Sequence, residues 1–306
     1  MAFVTRFAPS PTGPLHLGHA YSALLAHDMA RYEGGSFLLR MEDIDRQRSR
    51  PDWERQILDD LAWLGIVWDA EPMRQSERQP AYDKALNDLW LAGLLYPCTC
   101  SRRDIEAALS APQEGVDLPT GPDGPVYPGT CRNRMNWERT FPDGHDRPRD
   151  ATLRLEVACI GPQHFQHRID TPDGGWHSYA GYVETGIGPG GAKGLIEFTP
   201  DDICKQVGDF VVARKDMGTS YHLSVVVDDA EQGVTHVVRG ADLSEATRIH
   251  VMLQRLLNLP TPAYHHHRLI RDDNGKRLAK RDDARALAKY RAEGATPQDI
   301  RRMVGL

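Results

Sequence analysis

The chain has 306 residues, of which 40% are hydrophobic and 26% charged, the balance of a globular protein of one large or two ordinary domains. A net charge of −6 excludes wholesale coating of nucleic acid, and no apolar run approaches the ~18 residues that cross a bilayer. The charge is uneven: from Arg268 onward there are 11 Lys/Arg and six Asp/Glu, a basic tail on an acidic body. Such a tail can be a local phosphate-contacting face or simply a solvated helix surface.

In chain order, "AFVTRFA" reads as a strand. "AYSALLAHDMARYEGG" is a helix with Leu24, Leu25, Met29 and Tyr32 at helical spacing, stopped by Gly34 and Gly35. "SFLLRMEDID" is a buried strand ending in acids. Pro51 suits the first turn of the next helix, "DWERQILDDLAWLG", which Gly65 ends. "ERQPAYDKALNDLWLAGLLY" is a second amphipathic helix with Tyr82, Leu86, Leu89 and Trp90 on one face. Strand–helix–strand–helix at the start predicts a parallel α/β sheet. Residues 110–150 are dense in Gly, Pro and Asp and read as loop. "ATLRLEVACI", "GWHSYAGYVE" and "GLIEF" read as short strands, as do "DFVVARKD", "YHLSVVVDDA" and "THVVRG". "LSEATRIHVMLQRLLNL" is a helix, "AYHHHRLI" a strand, and "DARALAKYRAEG" and "TPQDIRRMVGL" are short closing helices.

Two patterns carry no site. "GIGPGG" (186–191) matches G-x-G-x-x-G, but a strand-like segment follows it where a dinucleotide fingerprint needs a helix. His265, His266 and His267 alternate faces on a strand and cannot converge on one ion. The five cysteines, an odd number without an apolar leader, point to a reducing cytoplasm. Cys159 and Cys204 sit in apolar contexts and are expected in the core.

The first strand leads through "RFAPSPTGPLHLGHA" (6–20) into the first helix. Ligands bind at that end of a parallel α/β unit, and helix starts favour anions. Gly13 and Gly18 permit close approach, and His16 and His19 can donate to phosphate oxygens. By itself the H-x-G-H tetrapeptide is equally two surface histidines.

The wider context says more. "RFAPSPTGPLHLGHA" closely resembles the first signature of the class I aminoacyl-tRNA synthetases in their glutamate-specific form. "LLRMEDIDRQRS", "DFVVARKDMGTSYHLSVVVDDAEQGVTHVVRGADL" and "NGKRLAKRD" resemble later segments of the same family, in the same order. Only 24 residues follow "NGKRLAKRD", where glutamyl-tRNA synthetases carry an anticodon-binding region. That shape, with its "CTC…YPGTC" insert, is similar to the family of glutamyl-Q tRNA(Asp) synthetases.

This resemblance implies a Rossmann-type parallel sheet split by an inserted subdomain. The expected division is a first core half (1–97), an insert with a zinc site (98–200), a second core half (201–245) and a helical stem-contact region with the second signature loop (246–306). It implies activation of L-glutamate by ATP with Mg²⁺, without tRNA. The glutamyl group then passes to queuosine at the wobble position of tRNA(Asp). His16, His19 and Lys280 would be the catalytic residues. ATP would be held by His16, Gly18, His19, Arg277 and Lys280; the family loop K-L-S-K-R/Q here reads Arg277-Leu278-Ala279-Lys280-Arg281. Glutamate would meet Arg6, Phe7, Ala8, Pro9, Ser10, Glu42, Tyr221 and Arg239. Glu42, helped by Tyr221, suits the ammonium, and Arg6 and Arg239 are the candidate carboxylate partners. Cys98-x-Cys100 and Cys131 are a cysteine group of the kind that holds structural zinc. The resemblance adds Tyr127 as a fourth ligand, although 26 residues separate it from Cys100. A cytoplasmic monomer that binds the tRNA(Asp) anticodon stem-loop and no membrane is expected. Two other readings stay open at this point: a catalytic fragment of a glutamyl-tRNA synthetase charging tRNA(Glu), and a non-catalytic tRNA-binding relic.

Overall fold

The structure, a computed structural model, describes residues 2–109, 120–134, 146–165, 167–170, 176–271 and 285–306. The chain opens with strand β1 (Val4–Phe7), helix α1 (Leu17–Tyr32), β2 (Ser36–Met41), α2 (Pro51–Trp63), β3 (Met73–Arg74) and α3 (Gln79–Leu91). An intervening region follows: β4 (Leu95–Cys98), α4 (Arg102–Leu109), β5 (Thr120–Gly121), β6 (Gly124–Pro125), α5 (Thr130–Arg134), β7 (Thr152–Leu155), β8 (His167–Asp170), β9 (Trp176–Glu184), β10 (Gly194–Phe198), α6 (Pro200–Gln206) and β11 (Phe210–Ala213). The chain closes with α7 (Tyr221–Glu231), β12 (His236–Gly240), α8 (Thr247–Leu256), β13 (Ala263–His267), α9 (Leu287–Ala292) and α10 (Pro297–Val304).

Local chemistry sets the first elements. Pro51 lies in the first turn of α2, where its missing N–H needs no partner. Gly34 and Gly65, at φ +62° and +77°, take the left-handed conformation just past α1 and α2. β1, β2 and β3 pair in parallel, and β12 pairs in parallel with β13. Thr235 joins the two halves. Its N–H donates to the Val4 carbonyl and its hydroxyl accepts from the Val4 N–H, both at 2.9 Å. Thr235 thus sets the β3-β2-β1 strands beside the β12-β13 pair, with a topological switch between β1 and β12. One core packs α1 and α2 on this layer through Leu24, Phe37, Leu39, Ile57 and Leu61; Leu287 and Ile300 of the closing helices join it.

β9 pairs antiparallel with β8 and β10, and meets β13 at Glu184 opposite Tyr264. β4, β7 and β11 form a separate antiparallel sheet, so β11 shares a sheet with strands from residues 95–155. β5 and β6 make a small hairpin. Among the described residues no helix is long and apolar enough to cross a membrane.

Three expectations are corrected. "YHLSVVVDDA", read as a strand, is α7. Ser220 caps it by accepting from the Leu223 N–H, and residues 222–226, 228 and 229 are all buried. A helix buried on nearly every side has no apolar stripe, and three consecutive valines imitate a strand. Cys204, expected in the core, is exposed on α6; Cys159 is half-buried against the larger core. The helix expected from Leu243 starts at Thr247, after a 3-10 turn at Ala241–Leu243.

The basic tail is partly consumed in docking. Arg301 pairs with Asp28 of α1 at 2.6 Å, and Arg291 pairs with Asp59 of α2 at 2.6 Å. These surface pairs flank the buried Leu287 and Ile300, which dock the closing helices on the body.

Candidate active site and cysteine cluster

A cavity of about 450 Å³ opens at the carboxyl ends of β1 and β12, at the switch point where ligands of parallel α/β sheets bind. Arg6, Phe7, Ala8, His16, Gly18, His19, Glu42, Tyr221 and Arg239 all line it. The structure thus brings together residues separated by more than 230 positions. Pro9 stands behind the wall, where its carbonyl accepts from the Glu42 N–H at 3.0 Å and ties β1 to β2. Ser10 lines an adjoining cavity of about 260 Å³ that shares Glu42 and Tyr221 with the first. Arg277 and Lys280 lie outside the described residues.

His16 is the N-cap of α1. Its Nδ1 accepts from the Gly18 N–H and His19 Nδ1 accepts from the His16 N–H, both at 3.1 Å. The rings lie 3.8 Å apart between centroids. Two accepting Nδ1 atoms put the proton of each neutral ring on Nε2, the donor a phosphate oxygen needs. No acidic residue lies in the first turn of α1, so the positive helix end is not neutralised there. A Cβ on Gly18 would sit 3.0 Å from His16 Cε1, so a side chain there would press on the capping ring.

Beneath the cavity lies a buried charge network that sequence reasoning missed. Asp229 accepts from Arg6 Nε at 2.8 Å and from Arg40 Nη1 at 2.7 Å. Burial favours its protonated form, but the two guanidinium groups outweigh burial and hold its pKa below the ordinary carboxylate value. Arg40, fully buried, also reaches Glu42 at 3.4 Å. Burial pushes the Glu42 carboxyl up, against the pull of Arg40 and Arg6. A ligand cation at Glu42 would therefore be welcome. The adjacent Asp228 accepts from Tyr82 at 2.7 Å and Gln75 at 2.9 Å. The signal for this network was an acidic pair inside an apolar run, "VVVDDA".

Arg239 differs from Arg6. Its Nε donates to His266 Nε2 at 3.0 Å, its Nη1 to His250 Nδ1 at 3.0 Å, and its Nη2 to Thr247 Oγ1 at 2.8 Å and the Leu243 carbonyl at 3.2 Å. None of these is a carboxylate, and no described residue forms an ion pair with it. The Glu184–His266 pair backs it at one remove, and Asp242 lines the same cavity. Arg6 is already matched by Asp229, so of these two arginines Arg239 is the one that no described carboxylate bonds directly.

The histidine run separates as alternation requires. His265 meets Thr185, His266 meets Glu184 and Arg239, and His267 meets Ser22 at 2.6 Å. Residues 189–191 form a 3-10 turn followed by strand β10, and the Gly186 backbone abuts His266. "GIGPGG" therefore precedes a strand, as expected.

In the intervening region Cys98, Cys100 and Cys131 present their sulfurs within 4.8 Å of one another. The Tyr127 hydroxyl lies 3.3 Å from Cys100 Sγ and 3.6 Å from Cys98 Sγ, and Cys100 and Cys131 are 3.4 Å apart. A zinc tetrahedron with ~2.3 Å Zn–S bonds spaces its sulfurs about 3.8 Å apart, so the donor set fits. Burial disfavours the Cys131 thiolate, but the Thr99 N–H and the Tyr127 and Cys100 groups outweigh it and bring the thiol down to about 6. Cys100 is pushed up to about 11 by burial. The long insertion before Tyr127 does not move it from the cluster.

A cavity at the switch point of a parallel α/β sheet is the placement used by nucleotide-binding domains. The family described as tRNA synthetases class I (E and Q), catalytic domain, matches residues 2–170 and 191–306, and the chain belongs to it. ATP with Mg²⁺, an amino acid and tRNA are the substrates of that family. The chain is 59% identical to the Glutamyl-Q tRNA(Asp) synthetase of Rhodobacter capsulatus, over 99% of this chain and 100% of that one. It is 38% identical to the Glutamyl-Q tRNA(Asp) synthetase of Rhodopirellula baltica, over 97% of this chain and 82% of that one. Its fold is similar to the glutamate-tRNA synthetase of Elizabethkingia anophelis, with a TM-score of 0.72 at 24% identity. All of this chain is covered there, and it spans 61% of that longer chain.

Proposed function

We propose that this protein activates L-glutamate with ATP in the absence of tRNA and transfers the glutamyl group to queuosine at the wobble position of tRNA(Asp). The observation that carries this reading is the 59% identity, end to end, with a Glutamyl-Q tRNA(Asp) synthetase. The glutamate α-carboxylate attacks the α-phosphorus of ATP, and pyrophosphate leaves. Negative charge grows on phosphoryl oxygens, so catalysis is positioning and positive electrostatics. His16 and His19 donate from Nε2 at the start of α1, with Gly18 allowing close approach. Arg277 and Lys280 of the second signature are assigned to the phosphates, which Mg²⁺ accompanies.

Arg239, which no described carboxylate bonds directly, takes the side-chain carboxylate of glutamate. Glu42 takes the ammonium with Tyr221 beside it, and Arg6 acts mainly through Asp229. The acceptor approaches from the smaller cavity that shares Glu42 and Tyr221. A hydroxyl of queuosine then attacks the mixed-anhydride carbonyl, and AMP leaves. Cys98, Cys100, Tyr127 and Cys131 hold a structural zinc ion. The enzyme works as a cytoplasmic monomer, its closing helical region toward the anticodon stem-loop.

The test is to incubate the protein with ATP, labelled glutamate and three RNAs: tRNA(Asp) with queuosine, tRNA(Asp) without it, and tRNA(Glu). Label on the first alone, recovered in the anticodon fragment after nuclease digestion, is the expected result. Label at the 3′ end of tRNA(Glu) would overturn it. Absence of glutamate-dependent pyrophosphate exchange without RNA would overturn the activation step.

A further inference from the structure

A line of hydrogen bonds runs from the substrate cavity to the surface of the insert. Arg239 Nη1 meets His250 Nδ1 at 3.0 Å, His250 Nε2 meets His222 Nδ1 at 3.0 Å, and His222 Nε2 meets both oxygens of Asp123 at 3.1 Å. His250 on α8 and His222 on α7 are buried, while Asp123 is exposed in the turn of the β5–β6 hairpin.

The direction of every link is forced. A guanidinium only donates, so His250 Nδ1 must accept, and the neutral ring carries its proton on Nε2. His250 Nε2 therefore donates to His222 Nδ1, which places the second proton on His222 Nε2, facing the carboxylate. Burial, and then Arg239, keep His250 far below the ordinary histidine range, which is the condition for it to accept. A carboxylate at the far end polarises each ring in turn and makes His250 Nδ1 a better acceptor. Second-ring hydrogen bonds of this kind orient the group that meets the ligand.

We propose that Asp123, His222 and His250 are positioning residues for glutamate, acting through Arg239, so that the insert hairpin sets how tightly the cavity holds the substrate carboxylate. This rests on the reading that Arg239 takes that carboxylate. Among the described residues no carboxylate bonds Arg239 directly, and its plane is fixed from two sides. His266, backed by Glu184, holds Nε; His250, backed through His222 by Asp123, holds Nη1.

The experiment measures glutamate-dependent pyrophosphate exchange, with glutamate binding by calorimetry, for wild type, Arg239→Ala, Asp123→Asn, His222→Asn and the double variant Asp123→Asn/His222→Asn. Asp123 is exposed, so its replacement leaves folding intact. The expected result is a rise of about three- to tenfold in KM and Kd for glutamate in Asp123→Asn, the range of one hydrogen-bond contribution. kcat and KM for ATP stay within about twofold, and the double variant is no worse than the His222 variant alone. In ¹⁵N spectra both His222 and His250 show the Nε2–H tautomer in wild type, and in Asp123→Asn the His222 signals shift. An unchanged KM and Kd in Asp123→Asn, or an Nδ1–H tautomer at His250, overturns the relay. Retained glutamate affinity in Arg239→Ala overturns the underlying carboxylate assignment instead.

Discussion

The substrate cavity and the cysteine cluster are built in opposite ways. The cavity collects Arg6, Glu42, Tyr221 and Arg239 from four distant stretches, and its charges balance only because α7 delivers Asp229 between Arg6 and Arg40. The cysteine cluster draws Cys98, Cys100, Tyr127 and Cys131 from one neighbourhood at the end of β4 and the start of α5. A site assembled from afar depends on the whole fold, and damage to one charge leaves others stranded. A local cluster can fail without dissolving the sheet. The Asp123 relay runs from the cavity into the stretch of chain between Cys100 and Tyr127.

The largest expected effect lies under the cavity. Asp229→Asn leaves Arg6 and Arg40 without their shared anion, and loss of one partner of a buried ion pair costs about 3–5 kcal/mol. Chemical denaturation checks it. The pH dependence has a definite sign. The Asp229 pKa is depressed on folding, so its stabilisation is complete above the unfolded-state value of about 4 and is lost as pH falls through the folded-state value. Wild type should lose more stability toward low pH than Asp229→Asn.

Arg239→Ala comes next. Removing a charge-assisted carboxylate contact should raise KM for glutamate by on the order of 10²-fold, with thermal stability shifted far less than in Asp229→Asn. Steady-state pyrophosphate exchange reads it. An effect of similar size from both substitutions on the same quantity would erase the distinction between a structural pair and a ligand-facing cation.

Cys131→Ser sharpens the comparison from the other side. Metal content should fall from about one zinc ion per chain to none, as read by elemental analysis. KM for glutamate should rise by no more than about tenfold, the size of effect expected through the Asp123 relay. A collapse of activity comparable to Arg239→Ala would mean that the cluster supports the cavity by other contacts.

Gly18→Ala should be the mildest. Its Cβ would press on His16 Cε1 at 3.0 Å, and a ring shift that weakens the cap costs about 1 kcal/mol. KM for ATP should rise by about fivefold, with glutamate binding by calorimetry unchanged.

Much of this was legible in the sequence because it is local. Pro51, Gly34 and Gly65 mark helix limits by backbone geometry that any neighbours would leave in place. The spacing of His16 and His19 placed the two rings within reach of each other across the first helical turn, and the structure shows that they form a reciprocal cap. Cys98, Cys100 and Cys131 could be grouped by spacing alone, and the alternation of His265, His266 and His267 by strand pleat. The order of four signature-like stretches was enough to choose the fold class.

The tertiary structure decided what depends on balance between distant groups. Sequence left Arg6 and Arg239 as equal candidates; only the packing of α7 against β1 and β2 shows that Asp229 matches one and not the other. α7 itself was misread, because burial on every side removes the periodic contrast that identifies a helix. The role of the basic tail likewise waited for Asp28 and Asp59, whose pairing with Arg301 and Arg291 turns part of that charge inward. Residue type sets which charges exist, but a charge in low dielectric is defined by its nearest partner, and that partner is chosen by the fold.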